Sequence, residues 1–147
     1  MVDLPSRKKH HALHIYTDGG SRGNPGNATI AFIIEDEKDS VLFRHSEFIG
    51  RTTNNVAEYT ALIKALGRAS IYSRGDISCF SDSEFMIDQL NGKDKVRKKH
   101  IRELYSKVKD LERNFKSVKY SHLPRENPKI ERVDRLVNKE LDKIEKN

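Results

Sequence analysis

The sequence predicts a single α/β domain with a mixed β-sheet, and two patterns along the chain support this fold class. Three apolar runs typical of β-strands come first, separated only by turn-forming residues, which indicates an antiparallel meander. Later, segments with apolar residues at helical spacing alternate with short apolar runs, which indicates parallel strands added through helical crossovers. The 147 residues suffice for one domain with its own core and are too few for two of ordinary size.

The meander occupies the first third of the chain. We predict its strands at HIYTD (14–18), NATIAFIIE (27–35) and VLFRHSEFIG (41–50), where apolar and β-branched residues dominate. The segments GGSRGNPG and EDEKDS between them are rich in turn-forming residues and predict the two connections. The first strand is therefore expected to end at Asp18.

A helix, a strand and a second helix are predicted next. In TTNNVAEYTALIKALGRAS (52–70) small and apolar residues recur at helical spacing, and Asn54 or Asn55 is suited to open the helix. The run DISCFS (76–81) predicts a short strand, and DSEFMIDQLNG (82–92) predicts a short helix with an acidic start and a glycine stop.

The last third of the chain predicts two more helices around a fifth strand. Between residues 98 and 115 the apolar residues occupy one helical face, and SVKYSHL (117–123) follows as a strand. PRENPKI (124–130) predicts a loop before the final helix. The buried stripe of that helix consists of Val133, Leu136, Val137, Leu141 and Ile144.

Charge is distributed unevenly along this basic chain, whose formal net charge is +6. Residues 1–92 hold 10 Lys and Arg against 12 Asp and Glu, whereas residues 93–147 hold 18 against 10. A basic half beside an acidic half predicts a polyanion that is held by one surface and processed at another. The alternative is that Lys and Arg simply solvate exposed helix faces.

Composition also indicates whether the protein spans a membrane or is secreted, and in which cellular compartment it is expected. No apolar run approaches the roughly 20 residues of a membrane-spanning helix, and residues 1–14 do not resemble a secretory signal. The single cysteine, Cys79, cannot form an internal disulfide, so we expect a reducing, cytoplasmic location. Residues 1–12 lack periodicity and are expected to form a disordered basic arm before a domain at 13–147.

Four carboxylates lie where the apolar pattern breaks: Asp18, Glu58, Asp82 and Asp134. Each could also have an ordinary structural role. Asp18 can start a turn, Glu58 can complete a capping box with Asn55, and Asp82 can cap a helix. Asp134 can be a solvated helix residue. If folding brings the four together, their repulsion predicts a divalent cation between them.

Taken together, four segments resemble type 1 ribonuclease H, the family that cleaves the RNA strand of RNA/DNA hybrids. They are YTDGGSRGNPG, TTNNVAEYTALIKAL, SDSEFMIDQLNG and HLPRENPKIERVDRLVNKELD, which occur in the family's order. The version with AEY after TNN is similar to the compact archaeal and bacterial branch. The resemblance implies a ribonuclease H-like sheet of five strands, three antiparallel and two parallel, with helices on both faces.

The resemblance also implies the chemistry. The family's metal ligands fall on Asp18, Glu58, Asp82 and Asp134. These residues would hold two Mg²⁺ ions roughly 4 Å apart, with Mn²⁺ as the alternative, for an in-line hydrolysis that leaves a 5′ phosphate and a 3′ hydroxyl. The family's catalytic histidine corresponds to His122, for which a strand-end surface position is the alternative.

Recognition of an RNA/DNA hybrid is implied for two further regions. Backbone groups of the glycine-rich segment 19–24 are expected to meet the 2′ hydroxyls of the RNA. The contacts that the resemblance implies there and at the first helix are Gly19, Gly20, Ser21, Asn24, Thr53, Asn54 and Asn55. The basic run at the start of the third helix is expected to bind phosphates through Lys95, Arg97, Lys98 and Lys99.

The last motif departs from the family pattern. Ile130 stands where many relatives have Asn, and the segment from His122 to Asp134 is longer than expected, so Glu131 is a substitute ligand if Asp134 faces away. Three functions are carried forward: a hybrid-specific endonuclease, a nuclease of the same fold acting on double-stranded RNA or branched nucleic acid, and a noncatalytic nucleic-acid-binding module. We expect a monomer without an obligate protein partner or a membrane association.

Overall fold

The structure, a computed structural model, describes residues 10–146 and has one five-stranded sheet flanked by helices. The strands are β1 (Ala12–Gly23), β2 (Gly26–Asp36), β3 (Val41–Thr52), β4 (Asp76–Ser81) and β5 (Ser117–His122). The helices are α1 (Asn54–Ala69), α2 (Glu84–Leu90), α3 (Lys99–Glu112) and α4 (Pro128–Glu145).

The sheet is mixed, in the order β3-β2-β1-β4-β5. β1 pairs antiparallel with β2, and β2 pairs antiparallel with β3, which forms the meander. β4 pairs parallel with both β1 and β5, so the crossovers extend the sheet from the β1 edge. The predicted fold class is confirmed.

Helices cover both faces of the sheet. Leu13 and Ile15 of β1 belong to the larger apolar core, which includes residues of α1, α2 and α3. Tyr16 belongs to the smaller core on the other face, together with Val133 and Val137 of α4. Because side chains alternate along a strand, Asp18 points to the face that α4 covers, and Gly19 points to α1.

The first strand is longer than predicted, and the expectation that it ends at Asp18 was wrong. β1 continues to Gly23 in antiparallel register with β2, and Ser21 lies opposite Ala28. The glycine at position 19 serves close packing instead of a turn. A Cβ added to Gly19 would lie only 2.4 Å from the carbonyl carbon of Ala57 in α1.

Two helices begin at different residues from those predicted. Thr53, and not Asn54 or Asn55, caps α1 and accepts a hydrogen bond of 3.3 Å from a first-turn backbone N–H. Ser83 caps α2 in the same way, so Asp82 is not needed as a cap. The side chains of Asp82 and the two asparagines therefore remain available for other contacts.

The final helix starts earlier than the predicted loop 124–130 allows. Asn127 caps α4 by accepting a 2.9 Å hydrogen bond from the Lys129 N–H, and Pro128 occupies the first turn. Ile130 is consequently a fully buried helix residue in the smaller core. The connection from β5 to α4 is thus shorter than the sequence suggested.

The predicted basic arm spans residues 1–12, of which 1–9 lie outside the described residues. The last three are hydrogen-bonded to the domain. The His10 N–H donates to the Tyr72 carbonyl at 2.9 Å, and the Ser73 hydroxyl donates to the His10 carbonyl at 2.6 Å. The Ala12 N–H donates to Glu37 at 3.2 Å.

Candidate active site

Two of the predicted carboxylates lie side by side because β1 and β4 run parallel. Tyr16 lies opposite Phe80 in the register of this pair, so Asp18 and Asp82 are level with each other two residues further on. β4 ends at Ser81, whereas β1 continues. Asp82 therefore lies just beyond the end of β4, beside the part of β1 that continues. This arrangement leaves a cleft at the carboxyl end of β4.

The third carboxylate, Glu58, comes from the second turn of α1. Its Oε1 accepts a 2.9 Å hydrogen bond from the Gly19 N–H, which also approaches the Asp18 carboxylate at 3.0 Å. This contact requires the α1 backbone to touch β1 where a side chain at position 19 would clash. Glu58 thus takes no part in a capping box with Asn55, and its carboxylate joins the cleft.

These three carboxylates form a compact, repulsive cluster. Asp18, Glu58 and Asp82 each offer one oxygen, and the three oxygens lie within 4.8 Å of one another. Burial raises the pKa of Asp18 well above its usual range, with further increases from the charges of Asp82 and Asp134. Burial and then Asp18 raise the pKa of Glu58 in the same way. Burial and then Asp134 raise the pKa of Asp82.

Asp134 lies on α4 and faces the same cleft. Together with the other three carboxylates it lines a cavity of about 270 Å³, which we call the carboxylate cavity. The substitute ligand considered from the sequence, Glu131, is exposed on α4 and does not line this cavity. Since Asp134 faces inward, the substitute is not required.

The loop before α4 contributes a residue that the sequence did not single out. Arg125 lines the carboxylate cavity, and its Nη2 lies 3.9 Å from the Asp134 carboxylate. Its charge lowers the pKa of Asp18 and Asp82, in opposition to the larger effect of burial. The only sequence signal was its position in PRENPKI, directly before the last helix.

His122 occupies a different place from Arg125. It is the last residue of β5, paired with Ser81, and its side chain is exposed. It does not line the carboxylate cavity. The strand-end position therefore agrees with the alternative considered from the sequence, although His122 is near enough to lower the pKa of Asp82 slightly.

Hydrogen bonds join the β1–β2 turn to the start of α1. The Asn24 side chain accepts from the Asn54 N–H at 3.0 Å, and the Asn54 side chain accepts from the Ser21 N–H at 2.8 Å. Gly20 and Ser21 line the carboxylate cavity beside Asn54. The predicted contacts of the glycine-rich segment thus lie together on one rim of the cavity.

The predicted basic run forms a second cleft. Lys95, Arg97 and Lys98 line a cavity of about 200 Å³ together with Asn55, and we call it the basic cavity. Lys99 is exposed at the start of α3 outside this lining. The ring of Phe85, which is 41% exposed, also lines the basic cavity. The sequence pattern did not predict this position, because Phe85 resembles any other apolar residue of α2.

The residues of the carboxylate cavity fit a divalent cation. The cluster offers only oxygen ligands, which hard cations such as Mg²⁺ prefer. Among residues 10–146, no Lys or Arg forms an ion pair with Asp18, Glu58 or Asp82, and the Gly19 N–H is the hydrogen-bond donor shared by the first two. A bound cation would supply the direct ion pairing that these three carboxylates do not find in residues 10–146.

Comparison with known proteins finds relatives over most of the chain. Residues 16–139 match the family model described as reverse transcriptase-like. The ribonuclease HI of Halobacterium salinarum is 35% identical over 130 residues, which cover 88% of this chain and 64% of that protein. The bifunctional protein Rv2228c of Mycobacterium tuberculosis is 35% identical over 129 residues, or 35% of its length. The chain thus spans less than two thirds of either curated relative.

Solved structures agree in fold. LC11-RNase H1, isolated from compost and solved in complex with an RNA/DNA hybrid, superposes with a TM-score of 0.84 at 39% identity, covering 90% of this chain and 98% of that one. RNase H1 from H. salinarum gives a TM-score of 0.84 at 34% identity over the same shares.

A mixed five-stranded sheet with acidic residues at the β1–β4 cleft defines a protein of the ribonuclease H-like class. The sequence and structural matches narrow this class. The chain belongs to the type 1 ribonuclease H family, as the resemblance of its motifs implied.

Proposed function

We propose that the protein is a metal-dependent endonuclease that hydrolyses the RNA strand of RNA/DNA hybrids and leaves 5′-phosphate and 3′-hydroxyl products. The observation that carries this proposal is the cluster of Asp18, Glu58 and Asp82 in an open cleft, where none of the three carboxylates forms an ion pair with a Lys or Arg of the described chain. The named activity of the H. salinarum relative and the hybrid bound by LC11-RNase H1 support the same conclusion.

The chain's own residues prepare the site for two Mg²⁺ ions, or Mn²⁺ in their place. Bound divalent ions supply an activated water and a counter-charge for the departing 3′ oxygen. Asp18, Glu58, Asp82 and Asp134 are the proposed ligands. The Gly19 N–H holds the Glu58 carboxylate in place, so one backbone donor fixes the spacing of ligands from a strand and a helix.

Two basic side chains are proposed to act beside these ligands. Arg125 points into the carboxylate cavity, where its guanidinium can hold a phosphate oxygen of the cleaved strand. His122 is exposed at the end of β5, outside the lining of the carboxylate cavity, where it can exchange a proton with solvent and help the reaction turn over. The two roles differ in location, and single substitutions of each residue can separate them.

Hybrid recognition is proposed to use both cavities. The rim formed by Gly20, Ser21 and Asn54 offers amide and hydroxyl groups to the 2′ hydroxyls of the RNA strand. The basic cavity, reached through the neighbouring Asn55, offers three cations to the phosphates of the other strand. Thr53 caps α1 between these regions, where its remaining polar groups can meet a DNA phosphate.

Cleavage of labelled duplexes tests the proposal. The wild-type protein should cut the RNA strand of a hybrid with Mg²⁺, lose activity with a chelator, and cut RNA or DNA duplexes far more slowly. Asp18→Asn and Asp82→Asn should each abolish cleavage while the circular dichroism spectrum is retained. Asp110→Asn, on the exposed face of α3, is the matched control and should cleave normally. Full activity in either of the first two variants would falsify the proposal.

The same assay separates the related functions. If the protein cleaves double-stranded RNA in preference to the hybrid, its substrate is double-stranded RNA, and the carboxylate cluster is still the catalytic site. Tight hybrid binding without cleavage under any divalent ion would indicate a binding module. Among residues 10–146, no helix is long and apolar enough to cross a bilayer. The cytoplasmic location and the monomeric state stay predictions, which fractionation and light scattering can test.

A further inference from the structure

Helix α4 borders a second concave surface, on the side of the helix that faces away from the carboxylate cavity. A groove of about 370 Å³ lies between α4 and the strands β2 and β3, and we call it the α4 groove. At roughly 100° per residue, the α4 residues of the two sites are centred about 160° apart around the helix. Those of the cavity are Asp134, Val137, Asn138 and Leu141, and those of the groove are Arg132, Arg135, Leu136 and Lys139.

The α4 groove combines an apolar floor with a cationic rim. Ile33, Val41 and Leu136 form the floor, and Val41 is 49% exposed, so apolar surface in the groove is open to a ligand. The rim consists entirely of cations, namely Arg44, Arg132, Arg135 and Lys139. Of the residues that the structure describes, no carboxylate lines the groove, so this surface is both apolar and positively charged.

Most of the rim cations have no ion-pair or hydrogen-bond partner in the described part of the chain. Within residues 10–146, the side chains of Arg44, Arg135 and Lys139 form no ion pair or hydrogen bond. Arg132 is held at 2.7 Å by the fully buried carboxylate of Glu35, but its Nε and Nη2 are buried without an acceptor. Because these two nitrogens are buried, the cations that an external acceptor can reach are the exposed Arg44, Arg135 and Lys139.

We propose that the α4 groove binds an acidic peptide segment of a partner protein, one that carries a large apolar side chain among its carboxylates. Its apolar residue would cover Val41 and Leu136, and its carboxylates would pair with Arg44, Arg135 and Lys139. A nucleic-acid backbone matches the cations but leaves the apolar floor uncovered. Because the groove lies on the far side of α4, the peptide and a hybrid in the carboxylate cavity can be bound at once.

Fluorescence anisotropy on the full chain tests this site with a defined probe, a fluorescein-labelled nine-residue peptide of alternating Asp and Leu. We expect saturable binding that weakens with salt and is at least tenfold weaker for a peptide of alternating Ser and Leu. Arg135→Glu combined with Lys139→Glu should weaken binding of the acidic peptide at least tenfold. Lys107→Glu combined with Lys119→Glu, exposed on α3 and β5, makes the same charge change elsewhere and should weaken it less than twofold.

Two further measurements test the apolar floor of the α4 groove and the independence of peptide binding from catalysis. Val41→Ser should weaken peptide binding several-fold, since it removes apolar surface without changing charge. The Arg135 and Lys139 double variant should cleave hybrid at the wild-type rate. The proposal is overturned if the peptide does not bind, if the control pair weakens binding equally, or if a hybrid displaces the peptide. These outcomes do not depend on the nuclease assay, so the two proposals fail separately.

Discussion

Replacing Asp18 with Asn removes one of the three charges that meet in the carboxylate cavity, and we expect it to stabilise the metal-free protein. The three oxygens lie within 4.8 Å of one another, and two unit charges at that upper limit repel by about 3.5 kcal/mol at an effective dielectric constant of 20. Asp18 faces both Glu58 and Asp82, but the charge of Arg125, which also lines the carboxylate cavity, offsets part of this repulsion. The expected gain in the free energy of unfolding is therefore about 1–3 kcal/mol.

The direction of the pH dependence follows from the raised pKa of Asp18. The folded protein binds the Asp18 proton more tightly than the unfolded chain does. Wild-type stability should therefore fall as the pH rises from the ordinary value of 3.8 towards the raised value of the folded state. The Asn variant should show a flatter dependence, since it lacks this proton and also relieves its two neighbours.

Urea denaturation at several pH values, with EDTA present, measures both effects. Asp110→Asn is the control, because its carboxylate is 70% exposed and its removal should change stability by less than about 0.5 kcal/mol. With Mg²⁺ present, the order should invert, because the wild type gains binding energy that the variant lacks. An Asp18→Asn protein that is no more stable in EDTA than the control would refute the reasoning that the cluster is repulsive.

Three further predictions concern packing, a buried charge and the loop before α4. Gly19→Ala should lower the free energy of unfolding by about 3 kcal/mol, because the added Cβ would clash with the backbone of α1. Gly67→Ala, in α1 itself and with open space around the added Cβ, should raise the free energy of unfolding by about 0.5–1 kcal/mol. Equal effects of the two substitutions in urea melts would contradict the close contact at Gly19. Glu35→Gln should lower the free energy of unfolding by about 2–4 kcal/mol, since it removes the buried charge that pairs with Lys129 and Arg132, and a neutral result in the same melts would show that the buried charge is dispensable. Arg125→Ala should lower kcat about tenfold, or ~1.4 kcal/mol, and His122→Ala should lower it less, because only the first side chain lines the carboxylate cavity; steady-state kinetics showing the reverse order would move the catalytic role to the histidine.

Elements with a strong local pattern were predictable from the sequence. The strand 76–81 was placed at its observed bounds, because a short apolar run between polar neighbours is typical of a buried strand. The meeting of Asp18 with Asp82 was implied only by the family resemblance, and the parallel pairing of β1 with β4 agrees with it. A local pattern was therefore enough to place the strand, whereas the contact between the two carboxylates depends on long-range pairing.

Features that depend on long-range packing were not predictable. The segment 19–23 has the composition of a turn, yet it continues β1 because α1 packs against Gly19, which no local pattern reveals. Arg125 is one of 28 Lys and Arg residues, and only the early start of α4 brings it to the carboxylate cavity. Phe85 was likewise hidden, because burial and exposure of an apolar helix residue look the same in sequence.

The first turn of α1 separates the two cavities by a single peptide bond. Asn54 borders the carboxylate cavity, and Asn55 borders the basic cavity. Since consecutive residues of a helix keep a constant separation, the borders of the two cavities are held at a constant distance from each other. If a duplex lies across both cavities as proposed, one with a narrower or wider groove would lose contact with one of them, and the backbone would then select by duplex width without reading any base.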